Sequence, residues 1–170
     1  MKEYLSETKS IDYMDPHIQQ KVNELSSQST DDADYIKKAF LFVRDEIPHS
    51  WDIQTNTVSR TASDVIINGT GICWTKSCLL AGLLRARGIP SGISYQLLTI
   101  AEDDSMGHII HALNTVYIED LDKWIRIDAR GNQQNQMRSS VRTGIIWLFH
   151  QGRNMVKSII MTTILIWIKD

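Results

Sequence analysis

The stretch that decides the fold is GTGICWTKSCLLAGLLRARGIP, Gly69 to Pro90. It opens on Gly69-Thr70-Gly71, whose two glycines let the backbone approach other groups closely. From Cys73 onward, Ser77, Leu80 and Leu84 recur on the face that carries Cys73, the spacing of a helix. Gly88 is a helix-ending residue and Pro90 forbids continuation, so the helix is predicted to run from about Cys73 through Arg87. Cys73 therefore stands at a helix start, where free N–H groups and the dipole favour a thiolate. The same N–H groups can donate to an oxyanion once sulfur has attacked a carbonyl. A small buried hydrophobe is the commoner fate of a free cysteine, so the partners must come from elsewhere in the chain.

Upstream, the sequence reads as helices. Asp15-Pro16 is an N-cap followed by proline at the first helical position, and Ile18, Val22 and Leu25 form the apolar stripe behind it. A second helix starts in the acidic cluster Asp31, Asp32 and Asp34 and keeps its period through Val43 up to Pro48. His49 to Arg60 reads as loop, and a short helix from Ala62 to Ile67 stops at Asn68-Gly69.

Downstream of Pro90 the pattern changes to strands: Gly92 to Ile100, His108 to Ile118 and Lys123 to Asp128. Helices first and adjacent strands afterwards predict an α+β protein with an antiparallel sheet. If Glu119 to Asp122 form a four-residue hairpin loop, Ile118 pairs with Lys123, Tyr117 with Trp124 and Leu113 with Asp128. His111 is then the diagonal same-face neighbour of Asp128. A loop one residue longer or shorter would break that relation. Thiol, imidazole and carboxylate are the parts of a Cys-His-Asp triad, and Cys73, His111 and Asp128 are the candidates. His108 competes as the base, but three residues away on a strand it faces the other side.

Composition excludes other classes. The net charge of −2 argues against binding nucleic acid. The N-terminal MKEYLSETKSID lacks the apolar core of a secretory signal, and Ile159 to Ile168 is too short to span a bilayer. A cytoplasmic location and no membrane partner are the expectations. Cys73 and Cys78 would lie roughly 8–9 Å apart along a helix, beyond disulfide reach, so both are expected to be thiols. Their C-x4-C spacing, with H-x2-H far downstream, fits no common zinc pattern, and no cofactor is expected.

At these residues the chain resembles the transglutaminase-like superfamily, the papain-like fold shared by transglutaminases, bacterial cysteine peptidases and peptide N-glycanases. The matching stretches are GTGICWTKSCLLAGLLRARGIPSG, HIIHALNTVYI and KWIRIDARGN, with VRDEIPHSWD resembling the segment before the catalytic helix. The resemblance covers about residues 4–132 and implies a catalytic domain, residues 1–132, in which a catalytic helix packs on an antiparallel sheet. It also implies Cys73, His111 and Asp128 as the triad, and a cysteine protease or amidase acting on peptide or protein substrates. Amine cross-linking and a non-catalytic binding module on the same fold are the alternatives; a metal-binding regulator using both cysteines and both histidines is a third. Trp51 is a candidate second oxyanion donor, because upstream tryptophans fill that role in some relatives. Trp74 and Gly71 are further candidates for the oxyanion or substrate site. Two departures stand out. Ala112-Leu113 follows His111 where tryptophan is more usual at the second position. Residues 133–170 resemble nothing in the family. The last forty residues carry five basic residues and one acid, whereas the first 130 carry 13 positive and 19 negative charges. That reversal reads either as a shifted reading frame or as a divergent extension, with strands expected near Gly144 to His150 and Met155 to Ile168.

Overall fold

The computed structural model describes residues 1–99 and 107–130. The expected boundary at 132 and the strands expected in the tail lie outside these residues. Helix α1 spans Pro16–Gln28, with the Asp15 carboxylate accepting from the His17 N–H as its N-cap. Helix α2 spans Asp32–Leu41 and continues as a wider π turn, Phe42–Glu46, before Pro48. Helix α3 spans Ala62–Asn68 and ends on Gly69 at φ 64°, a left-handed conformation that suits glycine. Helix α4 runs Cys73–Ala86, and Gly88 at φ 85° turns the chain toward the sheet.

The sheet is an antiparallel meander in the order β1-β2-β3, with β1 at Ser91–Thr99, β2 at His108–Ile118 and β3 at Lys123–Ile127. Its register is the one the hairpin count predicts: Ile118 opposite Lys123 and Tyr117 opposite Trp124. Asp122, at φ 49°, closes the hairpin and accepts from the Tyr117 hydroxyl. Aspartate tolerates this left-handed conformation better than most residues.

One expectation needs widening. The sequence puts Cys73, Ser77, Leu80 and Leu84 on one face of α4, but burial extends beyond that face to every residue from Thr75 to Arg85. The helix lies between the sheet and the other helices: Leu79, Leu80, Leu83 and Leu84 are fully enclosed on one side, and Cys78, Ala81 and Gly82 are buried on the opposite side. Its buried polar side chains find partners, as burial demands: Thr75 and Ser77 bond to backbone of the helix's own first turn, and the two cations reach other segments. Arg85 donates to Ser91 O and Ser6 O at 2.9 and 2.6 Å. The Asn114 amide on β2 donates to Ser77 O at 2.9 Å, which ties the sheet to the helix one turn past Cys73.

Candidate active site

Cys73 begins α4, and the residue before it, Ile72, offers no side-chain cap; the Ile72 N–H is taken instead by the Thr75 hydroxyl at 3.0 Å. The Cys73 N–H is aimed at Nε2 of His49, 3.0 Å away. Sequence reasoning had left that N–H free for an oxyanion and had not singled out His49.

His111 lies in the middle of β2 and Asp128 just past the end of β3. His111 Nε2 and Asp128 Oδ2 are 2.7 Å apart, and Asp128 Oδ1 also accepts from the Arg130 N–H at 2.9 Å. With Nε2 committed to the carboxylate, Nδ1 is the His111 nitrogen left for the sulfur, to which this ring is also hydrogen-bonded. β3 pairs with β2 only as far as Asn114, and beyond that point the Ala112 N–H reaches the sulfur.

Burial opposes ionisation of the Cys73 thiol, but hydrogen bonds from His111, His49 and the Ala112 N–H, with the charge of His111, outweigh it and pull the thiol down to about 5. Burial likewise disfavours an imidazolium at His111, yet Asp128 and Cys73 raise it to about 9. Neutral pH lies between these two values, so the sulfur is a thiolate and the ring an imidazolium. Cys78 is buried, and desolvation pushes it up to about 12. Only Cys73 is chemically poised, and neither cysteine is in a disulfide.

The remaining predicted residues fall into different surroundings. Trp51 is 71% exposed, and its backbone N–H points at His49 Nδ1, 3.2 Å away. From that loop, the ring that meets Cys73 belongs to His49. Trp74 packs against the core, and its indole N–H donates to the Tyr95 hydroxyl at 3.2 Å. Gly71 is needed for close approach, but to protein: a β-carbon there would lie 2.6 Å from the Thr75 hydroxyl and 3.1 Å from Val65. His108, at the start of β2, is exposed.

Lys76 is a second residue the sequence did not reveal. It is 1% exposed, and its ammonium donates to Ile47 O at 2.5 Å and approaches Arg130 O at 3.4 Å. Burial pulls it down to about 8 despite nearby carboxylates. Ile47 lies two residues before His49, and Arg130 two residues after Asp128. Arg130 also bridges to Asp52 at 3.1 Å, joining the same two segments at the surface. A lysine one turn from the start of a leucine-rich helix was the available signal, since a buried cation needs partners.

A buried helix headed by cysteine and packed on an antiparallel sheet that carries histidine and aspartate defines a papain-like α+β protein. The sequence model of the transglutaminase-like superfamily matches residues 19–129, well over half of the chain, and the chain belongs to that superfamily. Solved structures of the same fold include a candidate cysteine protease from Cytophaga hutchinsonii, 19% identical with a TM-score of 0.59. The match covers 75% of this chain and 41% of that one. The periplasmic domain of TgpA from Pseudomonas aeruginosa is 14% identical with a TM-score of 0.55, covering 74% and 45%. A TGase is 17% identical with a TM-score of 0.55, covering 81% and 37%. The matched region thus spans less than half the length of each of these structures. No curated protein sequence matches the chain.

Proposed function

We propose that this protein is a cysteine-nucleophile acyl-transfer enzyme that hydrolyses amide bonds in peptides or proteins. The observation that carries this reading is the convergence of Cys73, His111 and Asp128 from a helix start, a mid-strand position and a strand end. The Cys73 thiolate attacks the amide carbonyl, forming a C–S bond as the carbonyl π pair moves onto oxygen. When that pair returns, the C–N bond breaks and the His111 imidazolium gives its proton to the departing amine, leaving a thioester. A water molecule then loses a proton to His111 and attacks the thioester. The C–S bond breaks, a carboxylic acid leaves and the thiolate is restored. Asp128 holds His111 so that the other ring nitrogen faces the sulfur throughout.

The test is to incubate the purified protein with acyl and peptide libraries and read Cys73 by intact-mass spectrometry. A thioester adduct that decays in water, and is lost in Cys73→Ser and His111→Ala, is the expected result. Decay only on adding a primary amine would redirect the reading to cross-linking. No Cys73-dependent adduct on any donor would refute acyl transfer.

A further inference from the structure

The Cys73 N–H, at the start of α4, donates to Nε2 of His49 at 3.0 Å. An N–H bonded to oxygen spans nearly the same distance, about 2.9–3.0 Å between heavy atoms. Nε2 therefore stands where an oxyanion held by that N–H would stand. The ring is also hydrogen-bonded to the Cys73 sulfur, so it covers the nucleophile and its backbone donor together. With Nε2 accepting, the uncharged ring carries its proton on Nδ1. The Trp51 N–H lies 3.2 Å from that same Nδ1 and finds no acceptor there. The resting place of the ring satisfies one of its two neighbours and refuses the other.

The backbone beneath the ring is fixed. His49 bridges to Gly71, and the Ser50 N–H donates to Gly71 O at 3.0 Å. The Thr70 hydroxyl donates to Pro48 O at 3.0 Å and meets the Ser50 hydroxyl at 3.2 Å. Residues on either side of His49 are thus stitched to the segment that leads into α4. The imidazole itself hangs from a single rotatable Cα–Cβ bond. His49 is half-exposed, so the ring has solvent to turn into without disturbing the loop.

We propose that His49 is a displaceable gate: in the resting protein its ring fills the oxyanion position beside Cys73, and it rotates out about Cα–Cβ when a substrate carbonyl enters. This rests on the acyl-transfer reading above and adds to it a step before attack. Rotation frees the Cys73 N–H, which then donates to the carbonyl oxygen as its π pair moves onto oxygen. No bond is made or broken by the gate, and no proton leaves the ring. A reagent that needs only the sulfur meets no such competition. Among acyl donors, an extended peptide brings binding energy from the rest of its length to offset the displaced hydrogen bond, and a small ester does not. The gate thus favours long substrates over small acylating compounds.

Two probes separate a gate from a helper. p-Nitrophenyl acetate acylates Cys73 through an oxyanion; iodoacetamide alkylates the same sulfur without one. Both rates are taken at a pH where alkylation has reached its plateau, so that the sulfur is fully ionised in each protein. In His49→Ala the ratio of acylation to alkylation is expected to rise by about 3- to 10-fold, the factor set by one hydrogen bond of ordinary strength. A falling ratio would mean that the ring assists the oxyanion, and an unchanged ratio that it stands clear of it. Either overturns the gate and leaves acyl transfer standing. If His49→Ala melts below the assay temperature, the unsubstituted protein carries the test by NMR. In isotope-labelled protein, a nitrogen–nitrogen coupling across the hydrogen bond from the Cys73 amide to His49 Nε2 is expected in the resting state. Saturation with acetaldehyde, which adds to Sγ and places its oxygen at the oxyanion position, should abolish that coupling. A coupling that survives in the adduct would overturn the gate. Absence of Cys73-dependent acylation in both proteins, with the acyl and peptide libraries also giving no adduct, would remove the acyl-transfer reading and the gate together.

Discussion

At the scale of single residues, the site depends on how far apart two titrations are pushed. Cys73 sits at about 5 because His111, His49 and the Ala112 N–H outweigh its burial, and His111 sits at about 9 because Asp128 and the sulfur outweigh its own. Alkylation of Cys73 followed against pH should therefore rise through a midpoint near 5. The proposed acyl transfer should share that acid limb and fall again above about 9, where the imidazolium would lose the proton that the proposal has it give to the leaving group. His111→Ala removes the stronger of the two ring hydrogen bonds and should move the alkylation midpoint upward and slow labelling at neutral pH. A midpoint at the ordinary thiol value of 9.0 in the unsubstituted protein would contradict this account. The placement of His111 beside Asp128 was readable in the sequence because strand parity constrains it: the two share a face only if the hairpin loop has four residues. His49 was not readable. Nothing in a loop sequence distinguishes the ring that folds back on a helix start from the tryptophan two residues later that stays in solvent.

At the scale of elements, α4 and β2 form the frame, and their bounds followed from Gly88, Pro90 and the return of alternation at His108. The breadth of α4's burial did not follow, because a helix enclosed on all sides loses the one-sided stripe that sequence reading uses. Lys76 lies in that enclosure. Its Nζ reaches Ile47 O and Arg130 O, so one ammonium ties the approach to His49 to the turn after Asp128. Lys76→Met keeps much of the apolar stem and leaves the Ile47 carbonyl buried without its donor. A loss of about 1–3 kcal/mol in stability is expected from the unpaired carbonyl, measured by urea unfolding. Because both loops loosen together, the Cys73 alkylation midpoint should also rise. A destabilised variant with an unmoved midpoint would mean that Lys76 supports the fold without aligning the site.

At the scale of the whole molecule, the chain start fastens the far side of the sheet. The short 3-10 turn Lys2–Leu5 lays Tyr4 against Trp124 with ring centroids 4.6 Å apart, and Tyr4 also packs over Gly92, where a β-carbon would lie 3.1 Å from its ring. Ser6 O takes the buried Arg85 guanidinium and Leu5 O takes the Tyr13 hydroxyl. MKEYLSETKSID has no periodicity, so its attachment through contacts distant in sequence could not be read from the string. Deleting residues 1–7 removes those partners and is expected to lower the melting temperature by roughly 2–4 °C, the shift that about 1 kcal/mol produces in a chain of this length, by differential scanning calorimetry. An unchanged melting temperature would show the strap to be dispensable.

The two cysteines also give the folded molecule a built-in counter. In mildly acidic buffer, only Cys73 of a native chain is a thiolate, while Cys78 stays protonated. Both sulfurs of an unfolded chain, near the ordinary 9.0, are protonated as well. A brief acid-pulse tag therefore adds one mass increment to each native chain and none to an unfolded one. The tagged fraction is then a direct census of folding in any mixture, with no substitution introduced.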